Sequence, residues 1–406
     1  MAHTPKVVVA GAGPAGLLLA LLLAREGVQV TVLEANHSID TRPRALLYGP
    51  AAAQVIRRAG IVNKVLERGF FIRSMAWRKL GGEKITEITG MDTLDIPDRM
   101  MAYPLNLLAE LILEALVPLP NATVLWNHRV TAVSQDEGQA WVEAETHGGT
   151  VKLGGDFVVG CDGARSGVRK ALFGRNFRGY TWDKLIVTTN VYYDLDKYDW
   201  SDLQWTLHPD NWFVSMRITK DGLWRVAYGE DASLTPEQLR ERLPQRFRSI
   251  LPGSPTPDQY RLANFAWFRM HQRCVDRMRV GRIMLAGDAA HLCNPMGGLG
   301  LTGGIADVGS LTDCLLGIFS GKAGLDILDK YDRVRREIYN GIIDPLSTVN
   351  MNRMSTDGET ALETDHFLQM AQQAGKDCES AAEFMMQDLA LGADMTRFYN
   401  QPETRL

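Results

Sequence analysis

Near its start the chain reads Val7-Val8-Val9-Ala10-Gly11-Ala12-Gly13-Pro14-Ala15-Gly16, with Glu34 one short helix later. The β-branched run predicts a buried parallel strand. Gly11 permits a tight turn, Gly13 lets the backbone approach a pyrophosphate, and Gly16 lets the helix pack close to the strand. A helix starting near Pro14 and running through Leu17 to Ala24 aims free N–H groups and its positive dipole end at phosphates. Gly27 ends that helix, and Gln29 to Leu33 read as a second strand. Glu34 at the strand's tip, with Ala35 beside it, can accept hydrogen bonds from a ribose diol. A carboxylate there suits an unphosphorylated ribose, as in FAD or NAD. Residues 7–24 carry no charge, but their Gly and Pro breakers and charged sequel argue against a signal sequence or a membrane span.

The chain has 406 residues, enough for two interlocked domains with a substantial core. Its 45% hydrophobic and 23% charged content is ordinary for a soluble globular protein. A net charge of -4 argues against a nucleic-acid partner. The five cysteines are dispersed and form no CxxC pair, which points to a reducing, cytoplasmic setting without disulfides or a metal site. No cleavable leader, lipidation signal, repeat or low-complexity linker is expected.

Two later stretches carry further chemistry. In Asp156 to Arg169 an apolar strand ends in Asp162-Gly163, and a helix follows. Asp162 can cap that helix or face a ligand crevice. In residues 280–304 a buried strand, Ile283 to Ala286, delivers Gly287 and Asp288, and a glycine-dense loop from Pro295 to Gly300 enters another helix. Such a loop offers bare backbone amides where bulky side chains would block approach. Asp288 suits a sugar-phosphate chain, and Gly298 to Leu301 suit the edge of a flat ring.

Together these stretches resemble the class A flavoprotein monooxygenases, the aromatic hydroxylases with the para-hydroxybenzoate hydroxylase fold. The resemblance spans residues 5 to about 345. It rests on the fingerprint at Gly11, the Asp-Gly motif at Asp162 and the Gly-Asp motif at Gly287-Asp288. It implies an α/β fold: a Rossmann-like, GR2-type FAD-binding domain interlocked with an antiparallel β-sheet substrate domain and followed by a C-terminal helical segment. It also implies cofactor contacts at Gly11, Gly13, Pro14, Ala15, Gly16, Glu34, Ala35, Asp162, Asp288, Pro295, Gly298, Leu299, Gly300 and Leu301. Arg44, in Arg42-Pro43-Arg44-Ala45-Leu46, matches the family's Arg-Ala segment beside the flavin. Asn106 stands where the family usually has Arg or Gln reaching the cofactor. Val130, after a strand at Thr123 to Trp126, fits a backbone contact to adenine. The family often has Gly-Gln-Gly-Met-Asn where this chain has Gly298-Leu299-Gly300-Leu301-Thr302, so a side-chain amide is lost while backbone donors remain. Tyr331, Arg335 and Arg336 resemble the family's closing helix and read as structural.

The implied organisation places a discontinuous FAD-binding domain at 1–70, 100–175 and 275–345. A substrate-binding sheet occupies 71–99 and 176–274, and a helical tail 346–406 caps the pocket or supports a dimer. Strands are expected at Asn190 to Asp194, Leu203 to Leu207, Trp212 to Thr219 and Leu223 to Tyr228. Turns are expected at His208 to Asn211 and Lys220 to Gly222. Alternation is read as placing Ser215, Arg217 and Arg225 on one face and Val214, Met216, Trp224 and Val226 on the other. Arg225 would position the flavin or polarise the substrate, with a strand salt bridge as its other reading. Tyr48 would face the active site or fill the core. His208 reads as a turn residue, and Trp182, Trp205, Trp212 and Trp267 as sheet packing or an aromatic slot.

The activity this implies is FAD-dependent monooxygenation. NAD(P)H and oxygen would hydroxylate, or epoxidise, an aromatic or electron-rich small molecule through a flavin C4a-hydroperoxide, in a monomer or homodimer. A flavin reductase on the same fold and a non-catalytic FAD-binding redox sensor are the alternatives. A halogenase is disfavoured because neither Trp77-Arg78-Lys79 nor Trp267-Phe268-Arg269 fits its Trp-x-Trp-x-Ile-Pro segment.

Overall fold

A computed structural model describes residues 4–42 and 44–400. Pro43 of the Arg-Ala segment, the first three residues and the last six of the tail lie outside the described residues.

The opening strand, Lys6–Ala10, sits inside a six-stranded sheet. It pairs in parallel with Gln29–Leu33 on one side and Phe157–Gly160 on the other. Ala122–Leu125 and Ile283–Leu285 extend the parallel set, and Arg279–Val280 adds an antiparallel edge. Val7, Val8 and Val9 are fully buried, as a strand covered on both faces requires. The helix Pro14–Arg25 packs against Leu105–Leu116 and against the long helix Leu299–Phe319. That long helix is apolar enough to cross a membrane, but 83% of its apolar window is buried inside the protein, so it reads as a core helix. A three-stranded meander, Arg129–Gln135, Ala140–Thr146 and Gly149–Gly155, packs against the strands Lys6–Ala10 and Phe157–Gly160.

The second large sheet has eight strands. Its order is His291–Leu292, Arg261–Cys274, Gly179–Tyr192, Leu223–Asp231, Phe213–Arg217, Leu203–Leu207, Met75–Lys79 and Lys84–Ile88. The two longest, Gly179–Tyr192 and Arg261–Cys274, have 14 residues each and pair antiparallel. The expected strand at Asn190 is therefore the end of a much longer one. Lys220 to Gly222 form the expected turn, with Gly222 at φ +88. His208 is also a turn residue, its Nδ1 accepting the amides of Asp210 and Asn211 at 3.0 Å each.

One face of this sheet is covered by the helix Pro236–Ile250 through Leu239, Leu243 and Phe247, packed on Phe213, Trp224, Val226 and Tyr228. The other face packs on Leu46, Leu47 and Met296, which come from the nucleotide-binding side. Tail helices close the far end of that second face. Trp77 and Trp205 stack at 4.9 Å between ring centres, and Phe367 of the tail meets Trp77 edge-on at 5.5 Å.

Candidate functional site

The opening fingerprint builds a cradle. Gly11 has φ +104, and a Cβ there would lie 2.4 Å from the Cys161 carbonyl oxygen. A Cβ on Gly16 would lie 2.0 Å from the Gly11 oxygen, so strand and helix touch backbone to backbone. Beside Gly13 nothing comes within 4 Å. Gly13 is the N-cap of Pro14–Arg25, Pro14 opens the helix, and no side chain caps it. The space at Gly13 thus faces free helix N–H groups, with Ala15 half-buried in the same turn. Glu34 is held in place: Oε2 accepts the Ala12 amide at 2.9 Å, and Oε1 accepts the Asn36 amide and side chain at 2.9 and 2.7 Å. Ala35 is half-buried next to it.

Asp162 caps the helix that follows it, and one of its oxygens is left over. Oδ2 accepts the amides of Gly167 and Val168 at 2.6 and 3.1 Å, which caps the helix Gly167–Phe173 together with Ser166. Oδ1 is buried and has no partner, and burial pushes the carboxyl above its ordinary pKa. Gly167 lies so close to Val130 that a Cβ would sit 2.3 Å from the Val130 oxygen.

The third segment is anchored by a network that sequence reasoning did not find. Asp307, fully buried, accepts the Gly287 amide at 2.8 Å, pairs with His291 Nε2 at 2.8 Å and with Arg335 Nε at 2.6 Å. Arg335 also donates to the carbonyls of Leu391 and Gly303. Tyr331 donates to the Leu285 carbonyl, so both residues are structural as expected. These bonds fix Gly287 at φ +61, directly ahead of Asp288. The Asp288 side chain is exposed, yet the atoms crowded around it push its pKa up while the charges of His291, Arg44 and Arg169 pull it down. Arg169, also missed, is buried and donates to the carbonyls of Ala164 and Ala289, tying the Asp162 turn to the Asp288 turn. The available signal was an acid, Asp307, inside the mostly apolar helix Leu299–Phe319, with His291 in the segment before it.

The glycine loop differs in one detail from expectation. The helix begins at Leu299, with Gly298 as its N-cap at φ +70, so Leu299, Gly300 and Leu301 are its first turn. No side chain caps it, which leaves first-turn amides and the positive dipole end open. Pro295 is exposed. Asn106 lies half-buried in the first turn of Leu105–Leu116, next to the Arg44 segment, whose Ala45 carbonyl accepts the Leu105 amide at 3.1 Å.

These features fit an FAD molecule. Among the described residues, Asp162 Oδ1, the Asp288 carboxylate and the first-turn amides of the two uncapped helices have no protein partner, and the flank of Gly13 is open.

The register corrects the expected sheet faces. Met216 lies opposite Arg225, and Ser215 opposite Val226. Directly opposed residues share a face, so Arg225 belongs with Met216, Val214 and Ala227, and Arg217 with Ser215 and Trp224. Arg217 is on the face covered by Pro236–Ile250. It is buried and paired with Asp202 at 2.8 Å and with Asp196, so it is a structural ion pair and not a substrate group.

Arg225 faces the nucleotide-binding side. Nε and Nη2 donate to Asn190 Oδ1 at 3.1 Å each, and Nη1 donates to the Arg44 carbonyl. Arg44 itself pairs with Asp40 at 2.8 Å. Among the described residues no carboxylate pairs with Arg225, and burial alone lowers its pKa to about 10. Val214, Met216, Trp205 and Trp182 line the same face, half-buried. Trp212 is buried in the same cluster, its ring against Gly229, whereas Trp267 is exposed. Tyr48 is fully buried in the main core near Tyr103, its hydroxyl unpartnered.

A family model described as FAD binding domain matches residues 4–345. The chain is 41% identical over 352 residues to para-nitrophenol 4-monooxygenase of a Pseudomonas species, covering 86% of this chain and 87% of that one. It is 35% identical over 361 residues to 6-hydroxy-3-succinoylpyridine 3-monooxygenase of Pseudomonas putida, covering 87% and 90%. The crystal structure of p-nitrophenol 4-monooxygenase from Pseudomonas putida superposes with a TM-score of 0.89 at 37% identity, over 97% of this chain and 99% of that one. Aklavinone-11 hydroxylase, solved with FAD and aklavinone, shares the fold at a TM-score of 0.75 and 22% identity, over 87% and 70% of the two chains.

Proposed function

The chain belongs to the FAD-dependent aromatic monooxygenases, and from that premise we propose that it oxygenates a phenol or hydroxypyridine, held as its anion, at the ring carbon para to the hydroxyl. FAD, when bound, accepts hydride from NAD(P)H and activates oxygen for transfer to the ring.

The observation that carries the substrate reading is Arg225, a half-buried cation with only neutral acceptors. Holding an unpaired charge away from water is costly, and an anionic ligand relieves the cost. Two of its five N–H groups have no acceptor, one on each terminal nitrogen, and these suit a phenolate oxygen. Val214, Met216, Ala227 and Trp205 on the same face supply an apolar wall that keeps water from the reacting ring. The names of the two relatives support the position of attack. One acts at position 4 of para-nitrophenol and the other at position 3 of a 6-hydroxypyridine, and each such carbon lies para to the hydroxyl.

In this reading Glu34 holds the ribose and the Gly13 space the pyrophosphate, while Val130 and Asp162 flank the nucleotide. Asp288 holds the sugar-phosphate chain, and the amides of Gly298 to Leu301 the ring edge. The FAD-binding domain comprises 1–70, 100–175 and 275–345, and the sheet of 71–99 and 176–274 supplies the substrate side. Five free thiols are in keeping with a reducing cytoplasm.

The test is purification with FAD, followed by NAD(P)H oxidation in the presence of para-nitrophenol and a panel of para-substituted phenols and hydroxypyridines. Stimulated oxidation and a product oxygenated para to the hydroxyl are expected. The reading fails if no phenol or hydroxypyridine in the panel stimulates oxidation, or if Arg225→Gln leaves the KM for the anion unchanged.

A further inference from the structure

The eight-stranded sheet treats two arginines in opposite ways. Arg217 on one face is closed by carboxylates: its Nε reaches Asp202 at 2.8 Å, and its terminal nitrogens reach Asp196. Arg225 on the other face is one strand away, and its cross-strand neighbour is Asn190. Asn190 Oδ1 alone takes two of the Arg225 N–H groups at 3.1 Å, the same Nε and Nη2 groups that the two oxygens of a carboxylate would take, but it brings no charge. The Arg44 carbonyl takes a third. The guanidinium is thus fixed in direction by three bonds and left electrically open.

We propose that Asn190 is a positioning residue whose neutral amide aims Arg225 at the ligand while keeping its positive charge free, so that residue 190 sets the preference of the site for anionic over neutral aromatic substrates. This rests on the reading of Arg225 given above. Aspartate is nearly the same size and would hold Arg225 at least as firmly, but it would neutralise the charge the ligand needs. Alanine would keep the charge and lose the aim. A purely structural Asn190 makes aspartate the mild substitution and alanine the severe one; the proposed role reverses that order.

The experiment uses the FAD-loaded enzyme and para-nitrophenol at a pH where it is ionised. Binding of the phenolate is read directly from its visible difference spectrum, and FAD retention from flavin fluorescence. Asn190→Asp is expected to weaken phenolate binding by about ten-fold or more, the scale of removing one close charge partner. Asn190→Ala is expected to weaken it by about three-fold, with FAD retained by both. Phenolate binding by Asn190→Asp within about two-fold of wild type, or no weaker than by Asn190→Ala, overturns the proposal. If that happens while Arg225→Gln still loses the phenolate, the role of Arg225 stands and only Asn190 is excluded. Wild-type binding by Arg225→Gln removes both. Should Asn190→Asp fail to hold FAD, Asn190→Ala decides alone: unchanged phenolate affinity refutes the role.

Discussion

Gly13→Ala separates what the glycine fingerprint does for the fold from what it does for the nucleotide. Gly13 has φ -75 and ψ 174, an extended conformation open to any residue. A Cβ there meets nothing within 4 Å. In the protein without FAD the change should be nearly neutral: the poorer helix cap costs about 0.5–1 kcal/mol, and the stiffer unfolded chain returns about 0.4–1 kcal/mol. Gly16→Ala is the contrast, because its Cβ would lie 2.0 Å from the Gly11 oxygen and 3.1 Å from the Gly11 carbonyl carbon. Backbone must move there, so a loss of about 1–3 kcal/mol or more is expected. For FAD the expectation inverts. A methyl at Gly13 fills the volume that the proposed function assigns to the pyrophosphate, which should cost about ten- to a hundred-fold in affinity, or about 1.4–2.8 kcal/mol. The assay pairs thermal unfolding of the FAD-free variants with FAD titration by fluorescence quenching. The reasoning is refuted if Gly13→Ala binds FAD within about two-fold of wild type, or if its FAD-free form unfolds as early as that of Gly16→Ala.

Asp307→Ala would strand the fully buried Arg335 and free the Gly287 amide. A loss of about 3–5 kcal/mol in denaturant unfolding is expected, and a loss below about 1 kcal/mol would show that the network is not holding the Asp288 turn. The Asp307 carboxyl is held down at about 2 by His291 and Arg335 despite its burial, against an ordinary 3.8. Its stabilisation is therefore present above 3.8 and lost as pH falls through about 2, so Asp307→Asn should flatten the acid limb of the stability curve there. Asp388 has the opposite sign. Burial beside the Ala51 amide, which it accepts at 2.9 Å, pushes it up to about 6. The folded state then binds the extra proton, and the cost of ionising it grows as pH rises from 3.8 to about 6. Asp388→Asn should gain stability over wild type across that window and hold the gain above it. A gain that does not change with pH would exclude Asp388 as the titrating group.

The nucleotide cradle was legible in the chain because its causes are local. A turn at Gly11, an open flank at Gly13 and an acid at Glu34 are fixed by neighbours a few bonds away, as are the turns at His208 and Gly222. The Asp162 turn was half legible: its capping role follows from position, but its unpartnered second oxygen depends on what packs around it. Long strands were harder. Gly179–Tyr192 and Arg261–Cys274 mix charged, aromatic and small residues, so they lack the alternation that marks a strand. Which arginine faces the nucleotide-binding side was decided by pairing between strands. A shift of one residue sends every side chain to the other face, and only the opposition of Met216 to Arg225 sets that phase. The same holds for the Asp307, His291 and Arg335 network and for the Asn190 amide that meets Arg225. Their partners are distant in sequence or lie on separate strands, so their chemistry exists only once folding brings them into contact.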